Sequence, residues 1–153
     1  MTKEQNESAL RDPSPDESFL HTCLYFTANR LSRAITRMAD DAFATTELTP
    51  AYGYLIRLVI GKPGITQKEL SEKLHITPST LTRFIDKLEG KQLVERKVQG
   101  KTVLVYPTPK GAGMEQSLRQ ASKQLKANYE ALLGKELAEQ LTRDVETSSA
   151  LLE

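Results

Sequence analysis

Apolar positions recur every three to four residues through most of this chain, and only one short region shifts to a strand-like pattern. From Phe19 to about Phe43 the apolar set is Phe19, Leu20, Cys23, Leu24, Leu31, Ala34, Ile35, Met38 and Ala42. This spacing predicts one amphipathic helix of about 25 residues, longer than a small domain normally uses. Thr49-Pro50 opens a shorter helix that is apolar almost all round (Leu55, Ile56, Leu58, Val59, Ile60), which predicts burial between other elements. Leu70 and Leu74 mark a third helix. Leu81, Phe84, Ile85 and Leu88 mark a fourth, all within about 60° of Leu81 when each residue advances 100°. The runs VERKV and KTVLVYP, with Gln99-Gly100 between them, predict a tight β-hairpin. After Thr108-Pro109 the helical period returns through Met114, Leu118, Ala121, Leu125, Leu132 and Leu133. Gly134 interrupts it, and Leu137, Leu141, Val145 and Leu151 mark a last segment.

Local chemistry sharpens the middle of the chain. Thr77 is placed to cap the free amides of the fourth helix, and Pro78 occupies a first helical position where a missing N–H costs nothing. Thr66-Gln67-Lys68-Glu69 has the spacing of a capping box, in which the threonine hydroxyl and the Glu69 carboxylate satisfy each other's backbone amides. His75-Ile76-Thr77 is a compact turn, so the two helices form a helix-turn-helix. With the hairpin behind it, the unit is a winged helix. The predicted fold is mainly α with a small β-hairpin: a winged helix-turn-helix flanked by long N- and C-terminal dimerisation helices. The boundaries are an acidic, proline-broken, disordered tail over 1–17, an N-terminal dimerisation helix in 18–48, a DNA-binding domain over 49–110 and C-terminal dimerisation helices over 111–153.

The net charge of +1 conceals an uneven distribution. Residues 1–18 carry two basic and five acidic groups, and residues 111–153 carry five and seven. Residues 62–110 carry ten basic and five acidic groups. The surplus of cations thus sits on the helix-turn-helix and hairpin, the footprint of a phosphate-backbone partner. On the helix after Thr77, Ser79, Arg83 and Asp86 point away from the apolar side. Hydroxyls suit phosphates or base edges, and arginine forks onto guanine. Asp86 on that face argues mildly for a protein-interaction module that does not bind DNA, unless it is paired with Arg83 or Lys87. No apolar run reaches a membrane span, and the polar N-terminus lacks a signal-peptide centre. A single cysteine excludes a disulfide framework and suits a cytoplasmic protein. There is no metal-type Cys/His cluster, no phosphate-binding glycine loop and no nucleophile elbow, so neither an enzyme nor a cofactor is expected.

Three stretches carry a family resemblance: LTPAYGYLIRLV, ITQKELSEKLHITPSTLTRFIDKLEGKQLVERK and VLVYPTPKG. Through them residues 24–113 resemble the MarR family of bacterial winged-helix regulators. The resemblance implies a homodimer with interlocked terminal helices, bound to a roughly palindromic double-stranded DNA site. It also implies a repressor released by a small aromatic or lipophilic molecule, or by oxidation. Ser79, Thr80, Thr82 and Arg83 match the family's DNA-facing helix, and Gln67 and Lys68 match the start of its supporting helix. Thr66, Thr77 and Lys87 complete that candidate surface. The wing departs from the pattern: only Val98-Gln99-Gly100-Lys101 stands where the family has a longer, arginine-rich tip. Lys97, Gln99 and Lys101 are therefore expected to grip the backbone more than to read bases.

Regulation is less legible. Cys23 near Tyr25 is similar to the one-cysteine peroxide-sensing branch of the family, but its register looks shifted by about one position, a 100° rotation on a helix. Its place on the apolar stripe predicts inert packing instead. His21, Tyr25, Phe26 and Tyr52 combine apolar area with a polar tip or lie beside such residues, and they are the candidate walls of an effector pocket.

Overall fold

Cys23 interrupts what the apolar spacing predicts as one helix. The computed structural model describes residues 15–153, so the predicted acidic tail lies almost wholly outside the described residues. A short turn of helix, α1 (Phe19–Thr22), stops at Cys23, whose backbone is extended, and α2 (Leu24–Phe43) follows. The Thr22 hydroxyl donates to the Ser18 carbonyl, and the Thr27 hydroxyl donates to the Cys23 and Leu24 carbonyls. Threonine hydroxyls that bond nearby carbonyls compete with a continuous helical ladder. The expected packing of Cys23 in an apolar stripe is corrected as well, because its side chain is exposed.

Two compact units divide between Arg37 and Met38. The larger contains α3 (Pro50–Gly61), β1 (Ile65–Thr66), α4 (Gln67–Leu74), α5 (Pro78–Gly90), β2 (Val94–Gln99) and β3 (Thr102–Pro107). It ends with α6 (Pro109–Ala112), α7 (Glu115–Leu133) and α8 (Lys135–Leu152). Its core joins Phe43, Leu55, Ile56, Val59, Ile65, Leu70, Leu81, Ile85, Leu88, Val94, Val105 and Leu118, each no more than 1% exposed. The helix expected to be apolar all round is indeed central: Leu55, Ile56 and Val59 are buried, with Leu58 and Ile60 half-buried.

The sheet has three antiparallel strands in the order β1-β3-β2. The predicted hairpin pairs Val94 with Pro107 through Gln99 with Thr102, leaving Gly100-Lys101 as the turn; Gln99 itself is the last strand residue. The two-residue strand β1 was not expected from the pattern. Ile65 pairs with Val105 and Thr66 with Leu104, tying the start of α4 to the wing. The helix expected after Thr108-Pro109 is split, since α6 ends after one turn and α7 begins at Glu115. At Gly111 a Cβ would stand 2.0 Å from the Leu93 carbonyl oxygen, so only glycine permits this approach to the entry of β2. Gly134 does break the C-terminal pattern, at φ 82° and ψ 150°.

Candidate nucleic-acid interface

The starts of α4 and α5 and the tip of the hairpin converge on one cleft. Its volume is about 560 Å³, and Thr66, Gln67, Lys68, Pro78, Lys101 and Thr102 are among its lining residues. Each helix start is capped. Thr66 Oγ1 accepts from the Glu69 N–H at 3.1 Å, and Thr77 Oγ1 accepts from the Thr80 N–H at 3.3 Å. The capping box is only half formed, however. The Glu69 carboxylate accepts from the Lys62 ammonium at 2.9 and 3.0 Å, so it is drawn to a full charge on the preceding turn rather than to the Thr66 amide. Thr49 likewise supplies no side-chain cap to α3, although Pro50 is at its start.

His75 makes the turn between α4 and α5 in the left-handed region, at φ 54°, and its N–H donates to the Glu72 carbonyl at 3.4 Å. The Ser71 hydroxyl donates to the Ile76 carbonyl at 2.7 Å, which holds the far side of the turn. Leu81, Ile85 and Leu88 then seat α5 on the core. The opposite side carries Ser79, Thr82, Arg83 and Asp86, all exposed. The hydroxyls are partly engaged within the helix: Ser79 Oγ lies 3.2 Å from Thr77 Oγ1, and Thr82 donates to the Pro78 carbonyl at 3.0 Å. Thr77 donates to Thr80 Oγ1, and that oxygen also accepts from Arg83 Nη2 at 3.4 Å. Arg83 is otherwise free to extend, and no ion pair holds it among the described residues.

Asp86 is paired with neither Arg83 nor Lys87, the two partners the sequence offers nearby. Its carboxylate lies 2.6 Å from Arg96 on β2. Sequence reasoning assigns Arg96 no role. The available signal was the two-residue strand period, which puts this charged residue on the same side of the strand as buried Val94.

The remaining lysines of the candidate surface have aromatic supports. Lys87 Nζ stands 5.8 Å from the Tyr52 ring centroid, and Lys97 Nζ stands 4.7 Å from that of Tyr106. Gln99 and Lys101 are exposed at the hairpin end. Of the candidate effector residues, Tyr52 packs on Phe84 of α5, with centroids 4.8 Å apart, and so backs that helix. In residues 15–37, His21 and Tyr25 are exposed and Phe26 is half-buried. No group of three His, Cys, Asp or Glu side chains among the described residues could hold a metal, and no helix there is long and apolar enough to cross a membrane.

A capped helix-turn-helix with a cationic hairpin beside it defines a winged helix. The sequence model of the MarR family matches residues 54–98, which span α3 from Tyr54 to the hairpin. The family is one of transcription regulators, not enzymes. In fold the chain is similar to the transcriptional repressor CouR, solved bound to a 23-mer DNA duplex. The TM-score is 0.78 at 21% identity, over 87% of this chain and 96% of that one. It is also similar to the PcaV regulator of Streptomyces coelicolor, solved with its natural ligand, with a TM-score of 0.75 at 18% identity over 88% and 96% of the two chains. A shorter match, 36% identical over 63 residues, is to a riboflavin kinase of Thermococcus kodakarensis. That match covers 40% of this chain and only 30% of the kinase.

Proposed function

We propose that this protein is a sequence-specific regulator of transcription that binds double-stranded DNA as a homodimer and acts as a repressor released by a small molecule. The observation that carries the reading is the outward face of α5. Ser79 and Arg83 stand exposed there, while the start of α4 and the tip of the wing flank the same cleft. A helix presented in this way fits the major groove, where Arg83 can fork onto guanine. Gln67, Lys68, Lys97, Gln99 and Lys101 would hold phosphates on either side. With a two-residue turn and no arginine at its tip, the wing grips the backbone and leaves base selection to α5.

Exposed apolar side chains support the dimer. Leu132, Leu151 and Leu152 are 78–81% exposed on the C-terminal helices, and Leu24 and Tyr25 are 68% and 78% exposed in the first unit. A second copy related by a two-fold axis is the commonest cover for such surfaces. The effector reading is supported by relatives: CouR has also been solved with p-coumaroyl-CoA, and PcaV with its natural ligand.

Selection of bound sequences from random DNA tests the reading. The expected result is a palindrome with half-sites about 10 bp apart and an affinity that falls steeply with salt. Absence of enrichment together with a flat salt dependence would overturn it. The exposure of Cys23 favours one alternative trigger, oxidation. Under that alternative peroxide releases the DNA, and Cys23→Ser remains bound under the same treatment.

A further inference from the structure

Arg96 is a cation on a basic surface, yet its side chain is only 20% exposed. Its guanidinium reaches two helices from the wing. Nε donates to Gln67 Oε1 of α4 at 2.9 Å. Nη2 donates to the Thr82 carbonyl of α5 at 3.0 Å and meets Asp86 Oδ1 at 2.6 Å. Nη1 lies 3.4 Å from Glu89 Oε1, and Glu89 Oε2 accepts the Arg96 backbone N–H at 3.2 Å. A guanidinium carries five N–H donors, and these contacts use four of them. Little is left for a phosphate.

Two physical consequences follow from that geometry. A planar fork that binds a side-chain amide on one helix and a backbone carbonyl on another fixes their relative angle, which a flexible ammonium cannot do. Asp86 also stands three residues beyond Arg83, so the two share one side of α5. An uncompensated carboxylate there would repel the phosphates that Arg83 must approach, and Arg96 cancels it from behind.

We propose that Arg96 is the positioning residue of the DNA-reading surface: it sets α5 against α4 and the wing and neutralises Asp86, without itself touching DNA. The proposal rests on the DNA-binding reading above. Its test uses the full chain and the sequence enriched from random DNA, with affinity measured by fluorescence anisotropy across a salt series. Arg96→Lys retains the charge and loses the fork. It is expected to bind the selected site about tenfold more weakly or worse, a loss comparable to one bidentate base contact. Its slope of log affinity against log salt is expected to match that of the wild type. Arg96→Gln removes the charge as well, and a salt slope smaller by about one in that variant would show that Arg96 holds a phosphate directly; unchanged affinity in Arg96→Lys would show that the fork is not needed, and either result overturns the proposal.

Asp86→Asn provides a second test should Arg96→Lys fail to fold. It is expected to bind random DNA at least as tightly as the wild type while the ratio of selected to random affinity falls. An unchanged ratio overturns the proposal. If the wild type selects no sequence at all, the DNA-binding reading fails, and that outcome is distinct from any of these.

Discussion

Arg83 is an exposed cation of α5, and its planar guanidinium is the one on that helix that can fork onto a guanine edge. Its replacement by alanine is expected to cost about 1–3 kcal/mol on the selected site and far less on random DNA, read by anisotropy on both duplexes. Lys101, at the wing tip, should behave differently. Lys101→Ala is expected to weaken both duplexes alike and to lower the salt slope by about one, as a phosphate contact does. Gly111 concerns stability instead. Any side chain there meets the Leu93 carbonyl at 2.0 Å, and the obstacle is backbone that cannot turn aside. Gly111→Ala should therefore destabilise the fold by about 1–3 kcal/mol or more, seen as a lower Tm. Residue-scale readings from sequence succeeded where the partner is local. Thr66 and Thr77 cap amides three residues away, as their spacing required. They failed where partners compete, as when Lys62 takes the Glu69 carboxylate.

At the scale of elements, periodicity located the helices, but chain breaks depended on particular side chains. The first predicted helix divides at Cys23 and the one after Thr108 divides at Gly113-Met114, although the apolar spacing runs through both. Local bonds and close contacts decided those points, and a periodic count does not register them. Gly134 was legible because glycine tolerates what others do not. Its dihedrals, φ 82° and ψ 150°, lie in a region nearly confined to glycine. Gly134→Ala is expected to cost about 1–3 kcal/mol in denaturant unfolding, or to straighten α7 into α8 with a gain of helical signal in circular dichroism. Strand β1 escaped notice because two residues cannot display a period, and its pairing with β3 is non-local.

For the whole molecule, the exposed leucines of α7 and α8 make assembly the governing question. Leu132→Glu combined with Leu151→Glu is expected to shift the chain from dimer to monomer in light scattering at micromolar concentration. Operator binding should fall with it, because two half-sites must then be occupied independently. Dimer formation unaffected by both charges would remove the apolar surfaces as its cause. The sequence by itself determined the class of fold, the order of its helices, the exposed polar side of α5 and the basic middle of the chain. All of these are written in spacing, capping and local charge, which act over a few residues. Only the tertiary structure decided that Arg96 joins β2 to Gln67, Thr82, Asp86 and Glu89, and that Tyr52 backs α5. Those contacts join residues 7 to 32 positions apart, and their geometry exists only once the hairpin and the helices have packed on the same core.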